Sequence, residues 1–347
     1  MSSYCQPAEW ENHSACWLAW PSHAELWQDA LEPAQAEFTS LCHAISDWDV
    51  STRQARGERL EVLVPDERAR AAATRALGHL PVRFHLIPFG DIWLRDTAPI
   101  FVRTAEGKIG AASFAFNGWG GKYVLPHDSE VSARIARASH LETQSYSFVM
   151  EGGSLEVDGE GTCLTSEQCL LNPNRNSTLD RTAIEKGLRD SLGITRVLWL
   201  KDGLLNDHTD GHIDTIARFV APGTVACMQP TDPSDPNAEV LKQIADDLIQ
   251  MTDARGRKLK VVRIPSPGTL LNEEGDVMPA SYLNFYIGNR TVVVPTYGLP
   301  NDPAAVAAIA RIFPDRRTLG LPARAILNGG GAFHCITQQQ PSPAGTP

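Results

Sequence analysis

Apolar residues recur at helical spacing in several stretches of the chain. Val240, Leu241, Ile244 and Leu248 share one face of 236–252, and Val306, Ile309, Ala310 and Phe313 share one face of 302–313. Leu179, Ala183, Ile184 and Leu188 predict a helix over 178–192, with Thr178 or Asn176 as its cap. Asp66 is placed to start an alanine-rich helix over 66–79, and a weaker period runs over 128–139. A further helix over 24–46 is expected to be interrupted or restarted at Pro33. Short Val-, Ile- and Phe-rich runs bounded by Gly, Pro or Asn predict strands between the helices. They are Leu60–Val64, Val82–Ile87, Ile109–Phe116, Arg196–Leu200, Ile213–Val220, Lys260–Ile264, Leu283–Ile287 and Thr291–Val294.

The helices from residue 66 onward are centred about 62, 51, 59 and 64 residues apart, a spacing in the range of modular arrays. An ordinary α/β alternation gives the same pattern, and both readings stay open on periodicity alone. The chain has 347 residues, more than the roughly 250–300 that one simple core usually supports. Either two domains or one domain assembled from repeated units follows. Polar clusters sit beyond the ends of the helices: Asp96, then Glu151, then His212 with Asp214, then Cys335. Units arranged around an axis would bring these loops together at one end.

Charge narrows the partners. Lys and Arg total 31 against 41 Asp and Glu, a formal net charge of −10, and no basic cluster suited to phosphate backbones is present. No nucleic-acid partner is expected. No apolar run approaches the ~18 residues of a membrane span, and Met1–Cys5 carries no secretory signal pattern. The seven cysteines lack paired spacing, which suits a reducing, cytoplasmic setting. Self-association is left open.

Four motifs carry candidate chemistry. Trp93, Arg95 and Asp96 lie together in 91–97; a local Arg–Asp pair on a surface turn is the plain reading, a flat indole wall beside a carboxylate the functional one. Glu151 precedes two glycines, which allow a tight turn or a close backbone approach. The segment 206–214 holds three Asp and two His, and in a strand His212 and Asp214 would face the same side. It suits general acid/base work by His212, or metal binding through His208, His212 and Asp214. Gly329–Gly331 leads into His334 and Cys335, where backbone N–H groups and a thiol can meet at one centre. Loops containing Trp119 and the acidic run Glu273, Glu274 and Asp276 complete the set.

Together these segments resemble the agmatine deiminase family of the guanidine-modifying pentein superfamily. The resemblance rests on Pro7-Ala-Glu-Trp-Glu11, Trp17-Leu-Ala-Trp-Pro21, Trp93-Leu-Arg-Asp-Thr97, Phe116-Asn-Gly-Trp-Gly-Gly121, Glu151-Gly-Gly-Ser154, Thr209-Asp-Gly-His-Ile-Asp214 and the Gly329–Gln339 segment, in the family's order. It implies a single domain over 1–347 with a five-bladed α/β propeller fold. It also implies hydrolytic deimination of a small cationic guanidine, agmatine first, without cofactor or metal. Cys335 matches the nucleophile, His212 the general acid/base, Glu151 the carboxylate that orients it, and Asp96 and Asp214 the carboxylates that grip the guanidinium. Trp93, Trp119, His208, Gly330 and Gly331 fall at substrate-binding positions. His208 stands where agmatine-directed members carry an acidic residue, which keeps other guanidines, such as an arginine derivative or a terminal peptidyl arginine, among the candidates. A metal-dependent hydrolase and a non-catalytic guanidine-binding module are the competing classes.

Overall fold

A computed structural model describes residues 4–345. Met1–Ser3 of the amino-terminal segment and the last two residues of the expected 1–347 domain lie outside them. The chain forms an α/β structure with five mixed sheets of three or four strands, and one two-stranded ribbon at Trp48–Asp49 and Gln54–Ala55.

The five sheets share one internal plan. An antiparallel pair is followed by a parallel neighbour, and a helix makes the parallel crossover. In the third sheet, Ala217–Ala221 pairs antiparallel with Thr224–Gln229, and helix Ala238–Gln250 leads to the parallel strand Lys260–Pro265. The fourth sheet repeats this with Tyr286–Ile287, Thr291–Thr296, helix Asp302–Ile312 and Arg317–Pro322. The second does so with Glu156–Val157, Thr162–Ser166, helix Arg181–Leu192 and Arg196–Leu200. The first uses Ile100–Thr104, Ile109–Ala115, helix Asp128–Ala138 and Thr143–Val149, with Tyr4–Cys5 added at its edge. In the remaining sheet the two ends of the chain meet: Gln338–Pro341 pairs antiparallel with His13–Ala19, which runs parallel to Arg59–Val64 and then Val82–Leu86.

Burial explains why the helices were easier to read than the strands. Thr162–Ser166, a middle strand, is buried along its whole length, whereas the parallel edge strands Thr143–Val149 and Arg317–Pro322 are largely exposed or half-exposed. A fully buried strand carries no period-two alternation.

Several expectations are corrected. The helix after Thr178 is capped by Asp180, whose carboxylate accepts from the Ala183 N–H at 2.8 Å. Pro33 does not break its helix, because it sits in the first turn of Leu31–Ile45, where its missing N–H costs nothing. The interruption comes earlier, at Gln28, which adopts φ 46°. The crossover helix equivalent to the other four is Leu31–Ile45, while Glu67–Leu77 makes an extra crossover to the edge strand. Residues 213–220 are not one strand: Ile213–Thr215 is a helical turn and only Ala217–Ala221 is extended, so strand alternation is not what relates His212 to Asp214. Of Leu283–Ile287, only Tyr286–Ile287 is strand.

Leu31–Ile45 is held by its apolar face. Phe38 is fully buried and meets Trp20 edge-on, with ring centroids 5.6 Å apart. Phe38→Ala should therefore lower unfolding free energy by about 3–5 kcal/mol, read from the shift in denaturant midpoint. A cost under about 1 kcal/mol would mean that this helix is not locked to the core as described.

Candidate active site

The connections between sheets carry the site. The link from Val82–Leu86 to Ile100–Thr104 supplies Asp91, Trp93 and Asp96, and the link before Glu156–Val157 supplies Glu151. The link from Arg196–Leu200 to Ala217–Ala221 supplies His208, His212 and Asp214. The fourth link supplies Asn284, and the last supplies Gly329–Gly331, His334 and Cys335.

A cavity of about 320 Å³ opens among Trp27, Trp93, Trp119, Tyr123 and His208, with Asp96 and Cys335 also in its wall. A second, much smaller void adjoins it, with Thr209, Gly330 and Cys335 common to both; His212, Asp214, Asn284 and Gly331 line the smaller one. Glu151 lines neither void and sits behind His212. Its carboxylate, the Cys169 sulfur and a His212 ring nitrogen lie within 4.8 Å of one another.

Asp96 is buried in the short helix Leu94–Thr97. Its Oδ2 accepts from the Trp119 indole N–H at 2.9 Å, and its Oδ1 accepts from the Gly153 N–H at 2.9 Å. Gly153 is required by close approach: a Cβ there would come within 2.6 Å of His212 Nδ1 and 2.9 Å of Asp96 Oδ1. Burial, reinforced by the nearby Asp214 and Glu151 charges, pushes the Asp96 carboxyl up to about 8. Asp214 goes the other way. Burial opposes its charge, but the hydrogen bond and charge of His334 outweigh that and hold it below the usual carboxylate range.

Both ring nitrogens of His212 are buried without a hydrogen-bond partner, and Nδ1 is 3.9 Å from Asp96 Oδ1. Burial holds this imidazole down to about 3, so it is neutral in ordinary buffers. No hydrogen bond joins Glu151 to His212: Glu151 Oε2 is also unpartnered, and Oε1 is taken by the Arg175 Nε at 2.6 Å. Burial pushes Cys335 well above its ordinary range, and the Asp214 and Asp96 charges add to this. Its sulfur accepts from Asn284 Nδ2 at 3.1 Å and lies 3.6 Å from Asp214 Oδ2. Gly331 packs so closely that a Cβ would reach 3.0 Å from that sulfur.

Other expectations resolve as follows. Arg95 is not paired with Asp96. It turns to Glu9 and Gln338, and its backbone N–H donates to the Cys335 carbonyl, which secures the cysteine turn. His208 stands at the rim, with Nδ1 2.9 Å from the Tyr123 hydroxyl and the two rings stacked. The trio His208, His212 and Asp214 does not form a metal site. Among the described residues, the ligand groupings close enough are Glu151, Cys169 and His212, and Glu9, Glu156 and His334. Glu273, Glu274 and Asp276 line neither void.

Asn284, His334 and Arg175 were not among the expected site residues. Asn284 braces Cys335 and Asp214 together and accepts from the N–H groups of 334 and 335. It occupies the fourth inter-sheet link, so extending the repeat to that link was the available signal. Arg175 ties Glu151 to Asp210 and to the Thr209 carbonyl.

Comparison with known proteins places the chain among the deiminases. The profile of the Porphyromonas-type peptidyl-arginine deiminases matches residues 5–341, and the chain belongs to that family. Agmatine deiminase of Stutzerimonas stutzeri is 38% identical over 363 residues, covering 98% of this chain and 96% of the relative. A solved structure described as the agmatine deiminase of Enterococcus faecalis catalysing its reaction aligns with TM-score 0.90 and 35% identity, covering 98% and 96% of the two chains. A cysteine-to-serine variant of C. jejuni agmatine deiminase with substrate bound aligns with TM-score 0.87 and 27% identity, covering 98% and 97%.

The Arg175–Glu151 pair is fully buried on both sides. Arg175→Gln leaves a buried carboxylate uncompensated and should cost about 3–5 kcal/mol of stability, seen as a lower denaturant midpoint. An unchanged midpoint would show that the pair does not neutralise Glu151.

Proposed function

We propose that the chain is a hydrolase that converts agmatine and water to N-carbamoylputrescine and ammonia through a thiouronium on Cys335. The observation that carries this reading is a thiol shared by two adjoining voids, one walled by the buried carboxyl of Asp96 and the other by that of Asp214, with different charge preferences. A guanidinium stays protonated at ordinary pH and offers planar N–H forks to carboxylates. Gripped by Asp96 and Asp214, its carbon comes within reach of Cys335.

The resting pair is a thiol and a neutral imidazole. The cationic substrate neutralises the repulsion that Asp96 and Asp214 exert on a thiolate, and His212 takes the thiol proton. Sulfur attacks the guanidinium carbon, the tetrahedral adduct collapses, and His212 returns its proton to the departing ammonia. His212 then deprotonates a water, whose oxygen attacks the thiouronium. The C–S bond breaks, the thiol is restored, and the ureido product leaves. Glu151, behind His212, is near enough to favour the imidazolium as it forms, and Gly330 and Gly331 allow substrate close to the sulfur. The far ammonium meets Trp27, Trp93, Trp119 and Tyr123 faces. Asp91, the other carboxylate of the wall, already accepts from the indole N–H groups of Trp27 and Trp93. His208 at the rim makes the tail the part of the substrate to test against arginine and peptidyl arginine.

We further infer one domain over 1–347, arranged as a five-bladed propeller. The pairing of Gln338–Pro341 with His13–Ala19, and the shared plan of the five sheets, support both. No helix among the described residues is long and apolar enough to cross a membrane. Seven free thiols support a cytoplasmic setting.

The test is ammonia and ureido product from agmatine, with Cys335→Ala as control. The wild type should turn over and the variant should not; release of ammonia by Cys335→Ala would remove the thiol mechanism. The pH dependence is equally specific. Asp96 holds a proton below about 8 and must lose it to grip the cation, so kcat/KM should rise about tenfold per pH unit up to that region and then level. A profile flat from about pH 6 to 9 would contradict the role of Asp96.

A further inference from the structure

We propose that His334 is a positioning residue: as an imidazolium clamped between Glu9 and Asp214, it makes Asp214 the ionised arm of the carboxylate pair before substrate arrives. The inference rests on the guanidine-hydrolase reading only for its kinetic consequences.

His334 is fully buried, with Nδ1 2.7 Å from Asp214 Oδ2 and Nε2 2.8 Å from Glu9 Oε1. A neutral imidazole has one N–H and one lone pair. Between two carboxylates it would set a lone pair against an anionic oxygen at one end, and only the imidazolium donates at both. The outer end is itself fixed. Glu9 accepts from Arg95 Nη1 at 3.1 Å and from Arg218 Nη2 at 2.6 Å, and Arg218 also reaches Glu156 at 2.8 Å. Rotation of the His334 ring away from Asp214 would break a chain that runs through three elements.

At the inner end, Asp214 Oδ2 is occupied by His334 and by Asn284 Nδ2 at 3.2 Å, while Oδ1 is buried without a partner. That free oxygen, on a residue lining the void beside Cys335, is the one left for a substrate N–H. The other ionisable groups around Asp214 are His212 on its own loop, Asp96, Asp207, Cys335 and Arg218. Of these, Asp96, Asp207 and the sulfur disfavour a second negative charge, and His212 is neutral. Arg218 is committed to Glu9, Glu156 and the carbonyls of Leu283 and Phe285. His334 is thus the cation in direct contact with Asp214. The opposite directions in which Asp96 and Asp214 are displaced fit this division of one proton between two carboxyls.

Two measurements test the assignment. In ¹⁵N-histidine-labelled wild-type protein, one buried ring should keep both nitrogens protonated at pH 8, with His13→Gln and His85→Gln separating the rings bound to Glu58 and Glu61. A His334 ring carrying a single proton at that pH would overturn the proposal. In His334→Gln, KM for agmatine should rise about tenfold or more, because Asp214 loses both charge partner and orientation. The acidic limb of kcat/KM should steepen from a slope of one toward two, because Asp214 now also has to lose a proton. An unchanged KM and slope, with only the melting temperature lowered, would reduce His334 to a structural role and overturn the proposal. Where this variant does not fold, the labelled wild type decides alone. Where the wild type turns over no agmatine, the guanidine reading fails while the ring protonation still tests the clamp.

Discussion

The site is organised by carboxyl groups that are almost wholly buried. Asp96, Glu151 and Asp214 are all buried, the first and last in the walls that Cys335 shares and Glu151 behind His212, and each is handled differently. Glu151 is neutralised by Arg175, Asp214 is matched by His334 and Asn284, and Asp96 has only an indole and an amide N–H. Asp96 is therefore the member that holds a proton, and in the proposed reaction a cation with planar N–H donors supplies its missing partner. The same deficit suppresses the thiolate of Cys335, which links binding of the cation to activation of the sulfur in the proposed reaction.

The fold serves this arrangement by making every inter-sheet connection a contributor. Five sheets of one plan are joined by loops, and each loop delivers a different group: Asp96, Glu151, the His212–Asp214 pair, Asn284 and Cys335. The chain ends are joined in one sheet by Gln338–Pro341 and His13–Ala19, and Gln338 also holds Arg95 below the cysteine turn. Glu9, from near the amino terminus, completes the charge chain behind His334. The electrostatics of the site thus draw on residues from opposite ends of the sequence.

Local signals in the sequence reveal some of this and not the rest. Helices such as Asp302–Ile312 show their 3.6 period because one face is wet, and the density of ionisable residues at 206–214 marks that loop as unusual. Middle strands such as Thr162–Ser166 are short and buried on both faces, so no alternation betrays them. Pro33 misleads because its helical position, not its presence, decides its effect. Arg175 and Asn284 reach their partners across 24 to 70 positions, and neither lies in a motif with a distinctive local pattern. His334 is visible beside Cys335, but its two carboxylates come from positions 9 and 214, and only the folded chain brings them to it.

The most direct test is to catch the covalent species. Wild-type protein mixed with agmatine and quenched in acid within the steady state should show, by peptide mass spectrometry, an added amidine-bearing fragment on the peptide that contains Cys335. It should be absent from the peptides of the other six cysteines. Turnover of agmatine without any such adduct on Cys335, under conditions where breakdown of the intermediate limits the rate, would contradict the account.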